Sequence, residues 1–285
     1  MFKRQPSPLP GFGLTLGFTI FYLGLVVWLP LGALLLKTSG VGWSEFWRHV
    51  TAPRALAAYQ LTFGAALVAA AVNAFWGLLL AWVLVRYEFP GRRIVDALID
   101  VPFALPTAVG GLALASVYAP QGWVGRWFAA ETTVGNLFGP DGLKLAYSRT
   151  GVVIALVFVS FPFVVRTVQP VIQALDRGLE EAAATLGAGR MRTFFGVIFP
   201  TLLPSLLTGF ALAFARCLGE YGSIQFMSSN LPYKTQIASQ LIIERLDAYE
   251  IEGALSIAVF LLAVSFIILG AINLLEARAR RFQIR

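Results

Sequence analysis

Two charged residues lie in an otherwise apolar stretch of the sequence, where they could act on an ion. Arg216 and Glu220 fall within the run from Pro200 to about Ile224. If this run is a helix, a spacing of four residues puts both side chains on one face, where they can pair. An arginine at the centre of a membrane-spanning helix costs about 2.5–3.5 kcal/mol on insertion scales. Its presence therefore calls for a structural or functional reason.

Two interpretations of this pair stay open. In the first, the ion pair is structural and fixes its helix among the neighbouring helices. In the second, Arg216 faces a pathway and offers a positive potential to a passing anion, and Glu220 keeps that potential shallow because conduction requires weak binding. Counted from Pro200 at about 1.5 Å per residue, Arg216 lies about 24 Å along the helix. This places it past the midplane, toward the outer face.

Other kinds of chemistry have little support. The single His49 has no cluster of His, Cys or carboxylate residues around it in the sequence, so no metal site is predicted. The single Cys217 cannot form an internal disulfide, and we interpret it as a small packing residue. The chain has no GxxxxGK[ST] phosphate-binding loop. We therefore expect no catalytic residue and no cofactor bound by this chain.

A polar stretch from Asp176 to Pro200 precedes the charged pair and has helical character. Asp176 can cap a short amphipathic helix, and Gly187 can end it in the left-handed conformation. The pattern puts four residues on one face of that helix, namely Leu179, Ala182, Ala183 and Leu186. Because small residues let another backbone approach closely, this face is suited to contact with another protein. The alternative is an ordinary amphipathic connector.

The composition identifies a membrane protein that crosses the bilayer several times. Of the 285 residues, 58% are hydrophobic and only 13% are charged, whereas soluble domains carry about 25% charged residues. The mean hydropathy is +0.74. The net charge of +7 is explained by basic residues in cytoplasmic loops, so nucleic-acid binding is not expected. A water-soluble enzyme is excluded.

Runs free of charge and near the ~20 residues that cross a bilayer predict six transmembrane helices in an all-α polytopic fold. The runs are Gly11 to Leu36, Leu61 to Val85, Val101 to Pro120, Thr150 to Val165 with an extension through TVQPVIQAL, Pro200 to about Ile224, and Gly253 to Leu275. The whole chain, 1–285, forms one transmembrane domain with a core at about 57–275 and an N-terminal helix at about 11–36. The bias of Lys and Arg places both termini and the 176–200 loop in the cytoplasm.

Two features of the predicted helices have competing explanations. The third run carries Pro102, Pro106 and the pair Gly110-Gly111, which indicate either close packing or a kinked helix beside a pathway. Asn73 in the second run is expected to donate an interhelical hydrogen bond. The segment RYEFPGRRIVDALIDVPFALP between these runs mixes charges with apolar residues, which predicts an interfacial elbow helix.

The 176–200 loop resembles a known motif. EAAATLGAGRMRTFFGVIFP has Glu-Ala-Ala, three residues, Gly, nine residues, then an apolar residue and an apolar-Pro pair, as in the EAA loop of ABC importer permeases. The matching positions are Glu181, Ala182, Ala183, Gly187, Val197, Phe199 and Pro200. The stretches FARCLGEYGSIQF and SSNLPYKTQI are similar to the sulfate/thiosulfate branch (T subunit) of these permeases. Molybdate permeases share the first of them.

The resemblance implies a type I ABC importer permease fold with cytoplasmic termini, in the bacterial inner membrane. The loop would be a coupling helix that contacts a dimer of ATPase subunits through Glu181, Ala182, Ala183, Leu186 and Gly187. ATP and Mg would be bound there and not by this chain. A second, related permease subunit and a periplasmic sulfate-binding protein are also implied.

In the resembled fold, segments three and five line the translocation gate. This makes Pro106, Thr107, Arg216, Glu220 and Tyr221 candidates for the substrate pathway. Three alternatives remain, namely a molybdate or tungstate permease, an ATP-independent channel and a membrane enzyme. A membrane enzyme would need clustered titratable groups inside the bilayer, and the runs offer only Arg216 and Glu220.

Overall fold

The computed structural model describes residues 11–130, 132–137 and 142–283, and every regular element within them is helical. Five helices are long and apolar enough to cross a membrane. They are α1 (Phe12–Ser39), α3 (Pro53–Arg86), α7 (Arg149–Ala174), α9 (Arg190–Leu218) and α12 (Ile251–Gln283). The shorter helices include α2 (Trp43–Val50), α4 (Arg92–Ile99), α5 (Val101–Ala104), α6 (Thr107–Tyr118), α8 (Arg177–Thr185), α10 (Ile224–Met227) and α11 (Ala238–Asp247). Two further short helical turns are Gly125–Phe128 and Thr133–Asn136.

The core is built where α3, α7 and α9 pack against one another. Small residues allow the close approach. A Cβ added to Gly77 of α3 would lie 2.9 Å from Cγ1 of Val164, and one added to Gly209 of α9 would lie 3.0 Å from Cα of the same valine. These glycines fit the general preference for small residues at helix contacts within membranes. The three helices therefore form a tight scaffold.

A buried hydrogen bond joins two helices of this scaffold, as the sequence predicted. The amide Nδ2 of Asn73 donates to Oγ of Ser160 at 2.8 Å and to the carbonyl of Val157 at 3.0 Å. Cys217 of α9 is buried at the same place, and its thiol lies 3.2 Å from Oγ of Ser160. The prediction that Cys217 is a packing residue is confirmed, because its thiol is enclosed by α7.

The third predicted crossing is not a continuous helix. The chain from Val101 to Pro120 is divided into α5 and α6, with a break at Leu105 and Pro106. Leu105 is extended because a proline follows it, which disfavours the helical conformation. Helix α6 spans only 12 residues, about 18 Å at ~1.5 Å each, whereas the hydrocarbon core is about 30 Å thick. The described residues therefore contain five helices long enough to cross the membrane, and the total of six crossings stays a prediction.

The fifth crossing begins ten residues before its predicted start at Pro200. The helix does not start at Pro200 but at Arg190, and it passes through a π-helical segment, Phe194–Ile198, before Pro200. Pro200 is the second residue after this segment, where the regular α-helical hydrogen-bond ladder is already interrupted, and a proline has no N–H to contribute to that ladder. The helix ends at Leu218, so Arg216 lies in its last turn and Glu220 lies beyond it. Arg216 therefore lies within the helix and near its far end, as estimated, whereas the predicted extension of the helix to about Ile224, with Glu220 inside it, was wrong.

Helix α1 is long but separate from the core. No residue of its first half, Phe12–Leu23, is buried, and in its second half only Thr38 is. Its second half contacts α12. A hydrophobic helix with so little internal contact must be covered by lipid or by another chain, since it is apolar on every side.

Candidate functional site

Helix α8 has the ends that its sequence predicted. Asp176 precedes the helix, and its Oδ1 accepts the backbone N–H of Gly178 at 2.9 Å. At the other end Gly187 has φ +80°, the left-handed conformation. Its N–H donates to the carbonyl of Ala184 at 3.0 Å, and the N–H of Ala188 donates to that of Ala183 at 3.0 Å. This pair of bonds is a Schellman motif, which closes the helix sharply.

One side of α8 is fixed to a membrane helix. The guanidinium of Arg86, at the end of α3, donates from Nη2 to Oε1 of Glu180 at 2.5 Å. The same guanidinium lies over the ring of Trp82, 5.1 Å from its centroid. The Arg86 side chain is only 11% exposed. A partly buried pair supported by an aromatic ring attaches α8 to the end of α3.

The opposite side of α8 is exposed. Leu186 is 87% exposed, and Leu179 is also exposed. Glu181 and Ala182 are exposed too, and Ala183 is half-buried. The face predicted from the sequence is therefore not covered within the described part of the chain. An exposed leucine and alanine surface on a rigid, capped helix is suited to bind another protein.

The second candidate site is the pair of charges at the end of α9. Nη1 of Arg216 lies 2.6 Å from Oε2 of Glu220. The other carboxylate oxygen, Oε1, accepts the backbone N–H and the hydroxyl of Ser223, both at 2.9 Å. The Glu220 side chain is 2% exposed and that of Arg216 is 30% exposed. Glu220 is thus a buried charge with a partner on each carboxylate oxygen, while the Arg216 side chain stays partly exposed.

The break in the third segment brings further candidates to this pair. Pro106 precedes α6, and Thr107 begins it. A Cβ on Gly222 would lie 2.3 Å from Oγ1 of Thr107, so the start of α6 is packed directly on the turn that follows α9. Tyr221 stands in that turn and is half-buried. The structure therefore brings the five predicted pathway residues into one region.

The glycines that permit this packing were not singled out individually as site residues. A Cβ on Gly111 would lie 2.4 Å from the carbonyl oxygen of Ser223, and Gly222 is similarly enclosed. The signal was present in the sequence, because both glycines stand in stretches already identified. Their role requires knowledge that segments three and five meet, which spacing alone does not give.

An ion-pair cluster on the elbow helix α4 was also missed. Arg166 of α7 donates from Nε and Nη2 to both oxygens of Asp100 at 2.9 and 2.6 Å, and from Nη1 to Oδ1 of Asp96 at 2.7 Å. The amide of Gln169 completes the cluster. Hydrogen bonding from Arg166 holds the pKa of Asp96 below its usual range. The predicted elbow helix exists, and this cluster attaches it to α7.

A second network lies at the other end of the molecule. Nη2 of Arg54, at the start of α3, donates to the carboxylate of Glu244 in α11, and its Nε donates to Oε1 of Gln236 at 2.8 Å. Gln236 belongs to the stretch SSNLPYKTQI that carried part of the resemblance. The hydrogen bond from Arg54 lowers the pKa of Glu244. This network fixes the loop between α10 and α11 to α3.

The expectation that His49 has no carboxylates around it was wrong. Ligand atoms of Glu45, His49 and Glu252 all lie within 4.8 Å of one another. Glu252 comes from the first turn of α12, which no sequence spacing could place beside α2. However, Nη1 of Arg245 lies 3.4 Å from Nδ1 of His49. A fixed positive charge at that position opposes a cation, so the cluster is better suited to holding α2, α11 and α12 together.

Comparisons with known proteins agree with this architecture. A family profile described as "Binding-protein-dependent transport system inner membrane component" matches residues 73–281. The "Sulfate transport system permease protein CysT" of Synechocystis sp. is 50% identical over 264 residues, 93% of this chain and 89% of that protein. The protein of the same name from Escherichia coli (strain K12) is 44% identical over 273 residues, 96% of this chain and 95% of that protein.

Solved structures share the fold at low sequence identity. A bacterial ABC transporter involved in the import of the acidic polysaccharide alginate gives a TM-score of 0.74 at 16% identity and covers 93% of this chain and 94% of that one. An amino acid ABC transporter with histidines gives a TM-score of 0.51 at 21% identity and covers 79% of this chain and 94% of that one. These likenesses concern the arrangement of the helices.

The fold and these relatives define a membrane-embedded transport subunit. More particularly, the chain belongs to the family of binding-protein-dependent transport system inner membrane components, the permease subunits of ABC importers. The resemblance predicted from the EAA loop is confirmed by this match.

Proposed function

We propose that this chain is the permease subunit of an ATP-driven importer that moves sulfate, and also thiosulfate, across the bacterial inner membrane. The observation that carries the proposal is the 44–50% identity over nearly the whole chain to relatives named as sulfate permeases. The matches cover 93% and 96% of this chain. The charge arrangement suits a small anion.

Energy enters through α8. The chain has no phosphate-binding loop of its own, so a dimer of ATPase subunits would bind ATP and Mg and contact the exposed face around Leu186 and Gly187. Closing of that dimer would push α8, and the contact between Arg86 and Glu180 would pass the displacement to α3. Rigid-body movement of this kind is a common way to couple distant sites.

The anion would pass at the other end of α9. Arg216 would face it with a positive charge that Glu220 partly compensates, beside Tyr221, Pro106 and Thr107. A single chain encloses only part of a pathway, so a second, related permease subunit would supply the rest. A periplasmic sulfate-binding protein would deliver the anion, with both termini of this chain in the cytoplasm.

The test is uptake of labelled sulfate by proteoliposomes that contain the assembled importer and its binding protein. We expect uptake that requires ATP and that unlabelled thiosulfate inhibits, while molybdate at equal concentration has little effect. Strong inhibition by molybdate with weak inhibition by sulfate would replace the proposed substrate with the molybdate alternative. Uptake without an ATPase subunit would indicate a channel, and the absence of any ATPase after mild purification would contradict the coupling role of α8.

A further inference from the structure

An open groove of about 840 Å³ lies on the surface between α3 and the beginning of α9. Its walls are aromatic and aliphatic, and it reaches α8 at Glu180 and Ala184. The side chains that matter most are Phe75, Leu79, Trp82, Phe194, Phe195 and Phe199. Phe75 and Phe195 are both exposed. So large an exposed aromatic surface marks a place of contact with the membrane or with a ligand.

The groove has the length of one lipid leaflet. From Phe75 to Arg86, helix α3 rises about 16 Å at about 1.5 Å per residue. The hydrocarbon core of a bilayer is about 30 Å thick, so each leaflet contributes about 15 Å. Trp82 and Tyr87 stand near the α8 end of the groove, as aromatic residues do where hydrocarbon meets headgroups. An acyl chain would fit between that end and the middle of the membrane.

The end of the groove beside α8 is basic. Arg190 lines it and is exposed, and it forms no ion pair within the described part of the chain. The one carboxylate there, Glu180, is already paired with Arg86. The Nε of Arg86 is buried and has no hydrogen-bond partner among the described residues. The mouth of the groove therefore has positive charge and donor capacity that the chain does not use.

The wall from α9 has an unusual backbone. Phe194–Ile198 is π-helical, and three of its five residues line the groove. Short π-helical segments cost stability and are frequent at functional sites. Here the wider turn presents Phe194 and Phe195 to the groove in succession, with their rings 5.1 Å apart. The departure from α-helix coincides with the groove, which favours a binding role for this segment.

We propose that this groove binds one anionic phospholipid from the cytoplasmic leaflet. An acyl chain lies along α3 toward Phe75, and the phosphate is held at Arg190, next to Ala184 and Ala188 of the α8 loop. Basic pockets beside membrane helices bind anionic headgroups in this way. The lipid supports the face of α8 opposite to the one that receives another protein. The inference depends on the cytoplasmic position of the loop and not on the identity of the transported anion.

The test is native mass spectrometry of the assembled importer after reconstitution with equal amounts of phosphatidylglycerol and phosphatidylcholine. We expect one phosphatidylglycerol to stay bound per copy of this chain. Arg190→Gln removes the headgroup contact and should weaken retention about fivefold, the effect of one basic residue near a membrane surface. Leu79→Trp fills the groove and should remove the lipid. Both variants must elute as the assembled complex.

Two matched variants serve as controls. Arg93→Gln removes an exposed basic residue of α4 outside the groove, and Leu67→Trp enlarges a residue of α3 that is 54% exposed, against 48% for Leu79. Both should retain phosphatidylglycerol as the unmodified chain does. The proposal is overturned if the unmodified complex holds no lipid, or if it retains phosphatidylcholine as well as it retains phosphatidylglycerol. It is equally overturned if Leu79→Trp retains lipid as Leu67→Trp does. It is also overturned if a photoreactive group at position 195 labels the second permease subunit instead of lipid.

Discussion

At the scale of single residues, the contrast between Arg216 and Glu220 decides how the pair can act. Glu220 is 2% exposed and receives three donors, whereas Arg216 is 30% exposed and has one partner in the pair. A buried carboxylate loses much when its cation is removed, because the charge stays behind without compensation. A partly exposed guanidinium can find water or an anion instead. Replacing Arg216 should therefore destabilise the fold more than replacing Glu220.

This asymmetry predicts the order of stability among three variants. Arg216→Gln leaves a buried carboxylate and should cost about 3–5 kcal/mol. Glu220→Gln keeps the shape and leaves an arginine that solvent reaches, so it should cost about 1–3 kcal/mol. The double variant should be more stable than Arg216→Gln. The measurement is thermal unfolding of the assembled importer in one detergent.

The double variant also separates the two roles of the pair. If its stability recovers and sulfate uptake does not, Arg216 acts on the anion. If uptake recovers together with stability, the pair is structural and the pathway role is wrong. An Arg216→Lys variant, which keeps the charge but loses the planar geometry, should retain part of the uptake in the first case.

Local sequence patterns predicted individual residues well when their partners were close in the chain. The cap at Asp176 and the left-handed Gly187 follow from rules that involve at most a few neighbouring residues. The contacts of Arg166 with Asp96 and Asp100 span 70 and 66 residues. Opposite charges occur throughout the loops, so no spacing rule could select this pairing before α4 was placed beside α7.

At the scale of elements, the Arg166 cluster makes α4 an extension of α7. Arg166 holds two carboxylates and one backbone carbonyl of the α4 region, so the elbow helix cannot slide without breaking several bonds. A single surface ion pair contributes little, but a bidentate contact within a cluster is stronger. The elbow is thereby fixed to the same scaffold that carries α9.

This cluster predicts a dependence of stability on pH. The pKa of Asp96 is lowered, chiefly by its hydrogen bond from Arg166. A carboxylate with a lowered folded-state pKa stabilises the fold above its ordinary pKa, and this contribution is lost as pH falls through the folded-state value. The melting temperature of the unmodified chain should therefore fall more steeply below about pH 3.8 than that of Asp96→Asn. Glu88→Gln, an exposed carboxylate near the same helix, is the control and should follow the unmodified chain.

Elements were predicted correctly where hydrophobicity and length decide the outcome. Five of the apolar runs are long helices, and the extension of the fourth through Pro170 occurs as expected. The failures lie at prolines. Pro106 ends a helix because the residue before it is extended, but Pro200 is accommodated by a helix that began ten residues earlier, at Arg190. A proline marks both helix starts and breaks, so the surrounding packing determines which one forms.

At the scale of the whole molecule, two apolar surfaces are left uncovered by the described part of the chain. Helix α1 is almost entirely exposed, and the face of α8 with Leu179 and Leu186 is uncovered among the described residues, while the core of α3, α7 and α9 is tightly packed. An apolar helix and an exposed leucine at opposite parts of one chain indicate more than one neighbour. The rigid core would then carry movement from α8 to the end of α9, about 39 Å from Arg190 to Arg216 at ~1.5 Å per residue.

Transmission through α8 gives a prediction for the assembled importer. Gly187→Val places a β-branched residue at φ +80°, which costs about 1–2 kcal/mol because the Cβ meets the backbone. A cost of that size lowers the equilibrium constant for the left-handed loop conformation by about 5–30-fold. Sulfate uptake and binding-protein-stimulated ATP hydrolysis should both fall, by at most this factor. The amount of chain in the membrane should be near normal, because no membrane helix contains Gly187.

Gly189→Val is the matched control. Gly189 stands in the same loop with φ −69° and ψ 161°, a conformation that valine adopts readily, and a Cβ there meets nothing within 4 Å. It should leave uptake and ATP hydrolysis near normal. Equal losses in both variants would mean that any larger side chain in the loop interferes, and that the left-handed end of α8 is not what transmits the movement. Normal activity of Gly187→Val would lead to the same conclusion, since the strained residue would then have no consequence for coupling.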